Sequence, residues 1–260
     1  MFSRPFHGSE VVYRITDFHP ECAIAERGEA TLLLRTLLAA TVFWRRRVDR
    51  FEVLGHDQAR RLEEIGIDPH RITLKRDPSP VAISDSVKPL SRPAGFEGKK
   101  LILYSGNWGL AHDVETFVEG YARHHLNGSG KVVLWLNAVG RNADRVESAL
   151  LGRGLPVHRS LPVALDLLPS LLVTPDAHLI TLSDSFIGYV LPSKVYGCVA
   201  SGRPTLFIGS SLSDVHEVAS EGLGSSYMRA DVGAYQVVTD HLEKIASDVF
   251  QAITASTACR

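Results

Sequence analysis

The chain has 260 residues, 45% of them hydrophobic, and a formal charge of −1, an ordinary globular composition with room for one large domain or two smaller ones. The balanced charge argues against a nucleic-acid surface at the level of the whole chain. Cys22, Cys198 and Cys259 are widely spaced, which argues against a disulfide framework or a zinc site and makes a reducing cytoplasm the expected setting. The opening MFSRPFHGSE lacks the apolar core of a signal peptide.

VVYRIT (11–16) reads as a strand and residues 29–47 as a helix. That helix holds the most apolar window, TLLLRTLLAATVFW (31–44), which is too short to span a bilayer and is interrupted by Arg35. Arg45, Arg46 and Arg47 follow it. An amphipathic helix packed on a sheet, its basic end matched to the dipole, accounts for the pattern. A surface resting on anionic lipid is the sharper alternative. FEVL (51–54) is a short strand, HDQARRLEEIG a helix ending at Gly66, and RITLK (71–75) a strand.

RDPSPVAISDSVKPLSRPAGFEG (76–98) has four prolines and little periodicity, the signature of a linker. The alternation then resumes: strand KLILYS (100–105), helix VETFVEGYARHH, strand KVVLWLNAVG, helix ADRVESALLGRG, strand LPVHRS, helix VALDLLPSLL and strand AHLITLS (177–183). A short helix within GYVLPSKVYGCVASGRP (188–204) precedes strand PTLFIG (204–209), a helix over 213–221, a strand near SSYM and a final helix over about 231–257. Strands rich in Val, Ile and Leu are buried on both faces, and their alternation with helices predicts doubly wound parallel α/β sheets.

In such sheets ligands bind beyond the carboxyl ends of the strands. Three strand-to-helix loops there carry unusual chemistry. In YSGNWGLAHD (104–113), Gly106 and Gly109 allow close backbone approach and Asp113 is placed to cap the next helix. The spacing is not GxGxxG, so a nicotinamide or flavin site is poorly supported, and turn geometry alone would also explain the glycines. In LNAVGRNADR (136–145), Gly140 follows a buried strand and Arg141 is available to an anion or to solvent. In the third loop Pro192 suits the first helical position, which would make Leu191 a cap residue unable to cap. The amides of Ser193 and Lys194 would then be free for an outside acceptor. A lysine in a first turn is disfavoured by the helix dipole unless an anion joins it. The other reading has Ser193 capping an ordinary helix and Lys194 in water. No Asp-x-Asp pair, HExxH, GxSxG or GxxxxGK[ST] occurs, and adjacent His124 and His125 point to different helix faces.

YSGNWGLAHD, the block HLITLSDSFIGYVLPSKVYGCVASGRPTLFIG and the final helix resemble the nucleotide-sugar-binding half of GT-B glycosyltransferases, nearest to family 4 enzymes of bacterial polysaccharide and O-antigen assembly. VVYRITDFHPE and RFEVLGHDQARRLEEIGIDPHRITLKRDPSP resemble the end of their acceptor-binding domain. The resemblance runs from about Val11 onward and is most specific in the PSK…ASGRP block. It implies a partial N-terminal, acceptor-side α/β domain (1–75), a linker (76–98), a Rossmann-like nucleotide-sugar domain (99–229) and a C-terminal helix (230–260) crossing back to the N-terminal part.

The resemblance also implies roles. Gly106, Asn107 and Gly109 would lie along the donor, Ser193 and Lys194 on its diphosphate, Leu161 at the base, and Gly188 and Tyr189 at the sugar. Asp17 and His19 stand where a catalytic or acceptor-orienting group is often found. Many family 4 enzymes carry two glutamates here with seven residues between them, but this chain has Tyr189 and Gly197 near those places, leaving the sugar contact to Asp184 or backbone groups. Because a Rossmann-like domain needs about 100–150 residues, the first part reads as incomplete: a fragment, a mis-started frame, or half of a split enzyme with a partner chain.

The expected function is glycosyl transfer, by the family's habit with retention, from a nucleoside-diphosphate sugar to a glycan or lipid-linked acceptor in cell-surface polysaccharide synthesis. No separate cofactor and no metal are called for. The expected place is the cytoplasm, with peripheral contact at the inner face of the cell membrane left open. Two alternatives remain: a nucleotide-sugar-binding half that needs a partner, and an epimerase on the same fold. Donor base, sugar and acceptor are not legible.

Overall fold

A three-stranded and a six-stranded sheet, each wholly parallel, organise the computed structural model, which describes residues 9–247. The chain divides into two units: one takes the residues up to 78 together with 185–191 and 212–214, and the other takes the rest.

The first unit is built from β1 (Val12–Ile15), α1 (Glu21–Arg27), α2 (Leu32–Arg45), β2 (Arg50–Val53), α3 (His56–Glu64) and β3 (Ile72–Leu74), with strand order β1-β2-β3. Ile15, Phe18, Val48, Phe51, Val53, Leu62 and Ile67 form its core. α1 is a helix that the sequence pattern does not announce. At seven residues it is under two turns, and Gly28 closes it in the left-handed conformation at φ 72°. It brings Glu21 to Arg45, and both are buried.

The two late segments complete this unit. Val190 bridges Asp17 in antiparallel fashion, and the Phe18 amide donates to Tyr189 O at 3.0 Å. Asp57 and Asp214 exchange caps: the Asp57 amide donates to Asp214 Oδ2 at 2.6 Å and the Asp214 amide to Asp57 Oδ2 at 3.1 Å. An Arg76 guanidinium nitrogen donates to Asp214 Oδ1 at 3.2 Å. Two carboxylates share a poorly solvated spot. Burial first, then Asp214, raises Asp57 to about 7, while amides and Arg76 hold Asp214 low.

The second unit holds β4 (Lys100–Asn107), α4 (Glu115–Asn127), β5 (Val132–Val139), α5 (Arg141–Leu151), β6 (Val157–Ser160), α6 (Leu168–Val173), β7 (Ala177–Thr181), α7 (Lys194–Ser201), β8 (Thr205–Ile208), α8 (Asp214–Leu223, entered from the first unit), β9 (Tyr227–Ala230) and α9 (Tyr235–Ala246). The strand order is β6-β5-β4-β7-β8-β9. The chain winds outward from β4 to β6, returns to β7 on the other side of β4, and winds outward again. That reversal puts a topological switch point between β4 and β7.

β5, β7 and β8 are buried along almost their whole length, as apolar strands covered on both faces must be. Residues 75–99 contain no helix or strand. VALDLLPSLL, expected as one helix, divides into a 3₁₀ turn at Leu165–Leu167 and α6, with Pro169 in the first turn of α6.

α9 lies along α4 within this same unit. A Cβ on Gly120 would come within 2.5 Å of Val238, so the two helices meet at a bare backbone. Thr239 Oγ1 donates to Gly120 O at 3.0 Å. The expected crossing of the final helix toward the N-terminal part also takes in residues from 248 onward, which lie outside those described. The described part packs on α4, because its apolar face (Val238, Leu242 and Ile245) belongs to the core of the second unit. His124 and His125 are structural: Nδ1 of His124 pairs with Glu243 Oε1 at 2.5 Å and Nε2 of His125 meets Val132 O at 3.0 Å.

Candidate functional site

The switch point is tied across by hydrogen bonds between the loops that leave β4 and β7. Nδ1 of His112 lies 2.5 Å from Thr181 O, and the Ser183 amide donates to Ala111 O at 2.9 Å. Asn142 fastens the β4 loop from the other side, its Nδ2 donating to Gly109 O at 2.9 Å and His112 O at 3.0 Å. Asp113 does cap α4, accepting the Thr116 amide at 3.0 Å.

Gly140, at φ 106°, lets the β5–α5 turn approach this loop. A Cβ there would sit 2.4 Å from Asn107 Oδ1 and 2.7 Å from Trp108 O. Gly106, at φ 98°, has open space around it, so only its backbone conformation demands glycine.

Lys194 opens α7, two residues later than the expected start at Pro192. Ser193 is the cap residue in helical geometry (φ −59°, ψ −19°), its exposed hydroxyl making no cap bond. Leu191 is therefore not the cap residue. The consequence expected for the amides still holds: among the described residues neither the Ser193 nor the Lys194 amide has a hydrogen-bond partner.

The lysine side chain does not hang in water. Its Nζ is buried without any acceptor and sits 3.4 Å from the centroid of the Tyr104 ring. Tyr104 is itself stacked on Trp108 at 3.7 Å and 14°. Thr181 Oγ1 is a second buried polar atom without a partner. Removal of water lowers Lys194 to about 7. Burial, then the Lys194 charge, lowers His112 to about 3, so that imidazole is neutral. The ring quadrupole partly offsets the cost of the desolvated ammonium, but its hydrogen-bond donors remain unused. An anion at this turn would meet two free amides and the positive end of α7, beside the residue that carries the unpaired ammonium.

The structure separates the expected site residues by unit. Gly106, Asn107, Gly109, Arg141, Leu161, Asp184, Ser193 and Lys194 belong to the second; Asp17, His19, Gly188 and Tyr189 belong to the first. In the second unit they stand at the carboxyl ends of neighbouring strands. Asn107 and Arg141 are exposed. Leu161 is 79% exposed just past β6, its carbonyl held by Asn137 Nδ2 at 2.5 Å. Asp184 is exposed in the 3₁₀ turn after β7, where its charge adds to that of Asp231 on Arg229.

In the first unit Asp17 is pushed above the usual carboxylate range by partial burial, with His19 acting the other way. Gly188, expected at a sugar, is buried at φ 75°, and a Cβ there would meet Asp57 O at 2.7 Å. Tyr189 packs on Phe18 at 6.1 Å beneath the Arg61 guanidinium at 4.7 Å. Both residues therefore have packing roles inside the first unit. Sequence reasoning missed Tyr104, Thr181 and His112. The first two read as strand core, and His112 sits unremarked inside the glycine loop. Among the described residues no cluster of three or more His, Cys, Asp or Glu is placed to hold a metal ion.

No family model matches the chain. WcaI of Escherichia coli (strain K12), named as a colanic acid biosynthesis glycosyl transferase, is 28% identical over 123 residues, 47% of this chain and 30% of that protein. Among solved structures, Anabaena Alr3699/HepE in complex with UDP and glucose superposes with a TM-score of 0.69 at 12% identity, over 95% of this chain and 64% of that one. WaaG, a glycosyltransferase involved in lipopolysaccharide biosynthesis, gives 0.60 at 14%, over 91% and 66%. The UDP-forming α,α-trehalose-phosphate synthase of Burkholderia vietnamiensis gives 0.61 at 14%, over 92% and 60%. The chain thus spans under a third of the length of its curated relative and about two thirds of HepE and WaaG. By these likenesses the architecture of the chain is GT-B-like, with parallel α/β sheets in two units.

Proposed function

We propose that the chain takes part in glycosyl transfer from a nucleoside-diphosphate sugar to a glycan or lipid-linked acceptor of a cell-surface polysaccharide, in the manner of family 4 enzymes with retention. One observation carries the reading: a buried ammonium without an acceptor, in the same helix turn as two free amides, at the switch point of a doubly wound sheet. Support also comes from the neighbours, one of which is described with UDP and glucose.

In this reading Lys194, Ser193 and the α7 amides hold the diphosphate. As the bond between sugar and diphosphate breaks, negative charge gathers on the leaving phosphate, and donors already fixed in place stabilise it without reorganising. Arg141, Gly106, Asn107 and Gly109 border the donor. Leu161 offers an apolar face to the base, and Asp184 is the carboxylate available to the sugar. Asp17 and His19, on the first unit, are the candidates for acceptor chemistry. The substrate brings its own leaving group, so no separate cofactor enters the scheme. A partner chain supplying further acceptor-binding structure fits the same scheme.

Titration calorimetry with UDP tests it. Lys194→Met should weaken binding by about 1.5–3 kcal/mol, the range for a hydrogen bond to a charged group. Unchanged affinity in the variant removes the lysine from the site and the proposal with it.

A further inference from the structure

α2 exposes an apolar face that the rest of the described chain leaves uncovered. Leu32 is 83% exposed, Leu33 69%, Leu37 47% and Phe43 61%. Thr36 and Ala40 are exposed between them. The opposite side of the helix is spent on the core: Leu34 and Arg45 are buried, Arg45 against Glu21. Trp44, half-buried at the end of the exposed face, packs edge-on to Tyr13 at 4.9 Å. At about 100° per residue, the exposed leucines and Phe43 share one broad face, with Arg35 and Arg46 along one border.

Within α2 the charge has one sign. No acidic residue lies within α2, LLLRTLLAATVFWR, and Arg46 and Arg47 continue the run beyond Arg45. Arg35 and Arg46 are exposed and hydrogen-bond to backbone carbonyls, Ala30 O at 2.9 Å and Ile65 O at 3.0 Å, so their charges are not spent on carboxylates. Arg47 lies over the Phe43 ring at 3.3 Å, which puts a cation beside the largest exposed apolar group. Among the described residues no helix is long and apolar enough to cross a membrane. An apolar helical face edged by Arg35 and Arg46, both bonded to backbone carbonyls, is the combination that sits at a headgroup boundary.

We infer that α2 is a docking surface for an anionic lipid bilayer, with Leu32, Leu33, Leu37 and Phe43 entering the interface and Arg35, Arg46 and Arg47 meeting lipid phosphates. This holds whatever chemistry the second unit performs. The surface would keep the first unit beside lipid-borne material.

Vesicle sedimentation with the full chain tests it. The protein should pellet with vesicles of phosphatidylcholine and phosphatidylglycerol in equal parts, stay in solution with phosphatidylcholine alone, and be released by salt. Arg35→Gln with Arg46→Gln should lower partitioning roughly 25-fold, about fivefold per arginine. Leu33→Ser, Leu37→Ser and Phe43→Ser together should abolish it. These side chains are exposed, so circular dichroism and melting temperature should be unchanged; if the triple variant fails to fold, the arginine pair and the salt dependence decide. Equal partitioning into neutral vesicles, or unaltered binding by the arginine variant, overturns the inference. So does a lipid-free dimer in sedimentation velocity that the triple variant dissociates, since that gives the face to a second copy of the chain.

Discussion

Two buried cations, Arg45 in the first unit and Lys194 in the second, meet opposite fates. Arg45 is 1% exposed and its charge is paired: both terminal nitrogens reach Glu21, one also reaches His19 O at 3.1 Å, and the guanidinium lies 4.8 Å from the Phe18 centroid, with Nε the one guanidinium nitrogen left without a partner. Lys194 has a ring and no acceptor. A buried charge that is paired can be explained by the fold alone. One left unpaired costs stability, and the fold gives no return for it. The difference separates a structural ion pair from a site waiting for an anion.

The largest effect should come from breaking the satisfied pair. Arg45→Ala leaves the Glu21 carboxylate buried and uncompensated, and urea unfolding should lose about 3–5 kcal/mol. Lys194→Met should do the reverse. Its melting temperature should rise at pH 6–7, by about 2–4 °C for each kcal/mol of relieved desolvation, while UDP affinity falls. A melting temperature that drops would mean the ammonium is satisfied in solution and the contrast with Arg45 is false.

Gly140→Ala forces a Cβ into Asn107 and Trp108 at a positive φ. It should cost about 1–3 kcal/mol in stability and weaken UDP binding through the displaced loop. Gly106→Ala, strained only by its φ, should cost less.

The pH dependence sharpens the same comparison. The pKa of Lys194 falls from its ordinary value to about 7 on folding, so between about 7 and the lysine range the unfolded chain binds more protons than the folded one. Stability should therefore rise with pH across that window, and Lys194→Met should remove the rise. UDP affinity should fall over the same interval as the free ammonium loses its proton, and the variant should show no such fall. The smallest change is Asp113→Ala, which removes one α4 cap for about 1 kcal/mol, read by thermal melting.

The strands and their parallel order were legible because β4, β5, β7 and β8 are dominated by apolar residues, and because nearly every turn between elements, Arg46–Asp49 excepted, carries glycine, proline or a capping side chain. The candidate site was half legible. Proline, serine and lysine at a helix start announce free amides, but the direction of the Lys194 side chain depends on Tyr104, ninety residues earlier in the chain and indistinguishable in sequence from any core aromatic. Tyr189, placed at the sugar by resemblance, also makes long-range packing contacts with Phe18 and Arg61 that no local pattern encodes. α1 escaped notice because seven residues are too few to display a helical period.

The exchange of caps between Asp57 and Asp214 joins residues separated by 157 positions. On the ribosome, Asp57 emerges long before its counterpart exists, and so does Phe18 before Tyr189. The first unit must wait, unfinished, until nearly the whole chain has been synthesised, and a polypeptide cut after residue 78 would carry its open seams permanently. Any attempt to express that piece alone inherits this debt of timing, whereas the strands from Lys100 onward meet their neighbours in the order in which they are made.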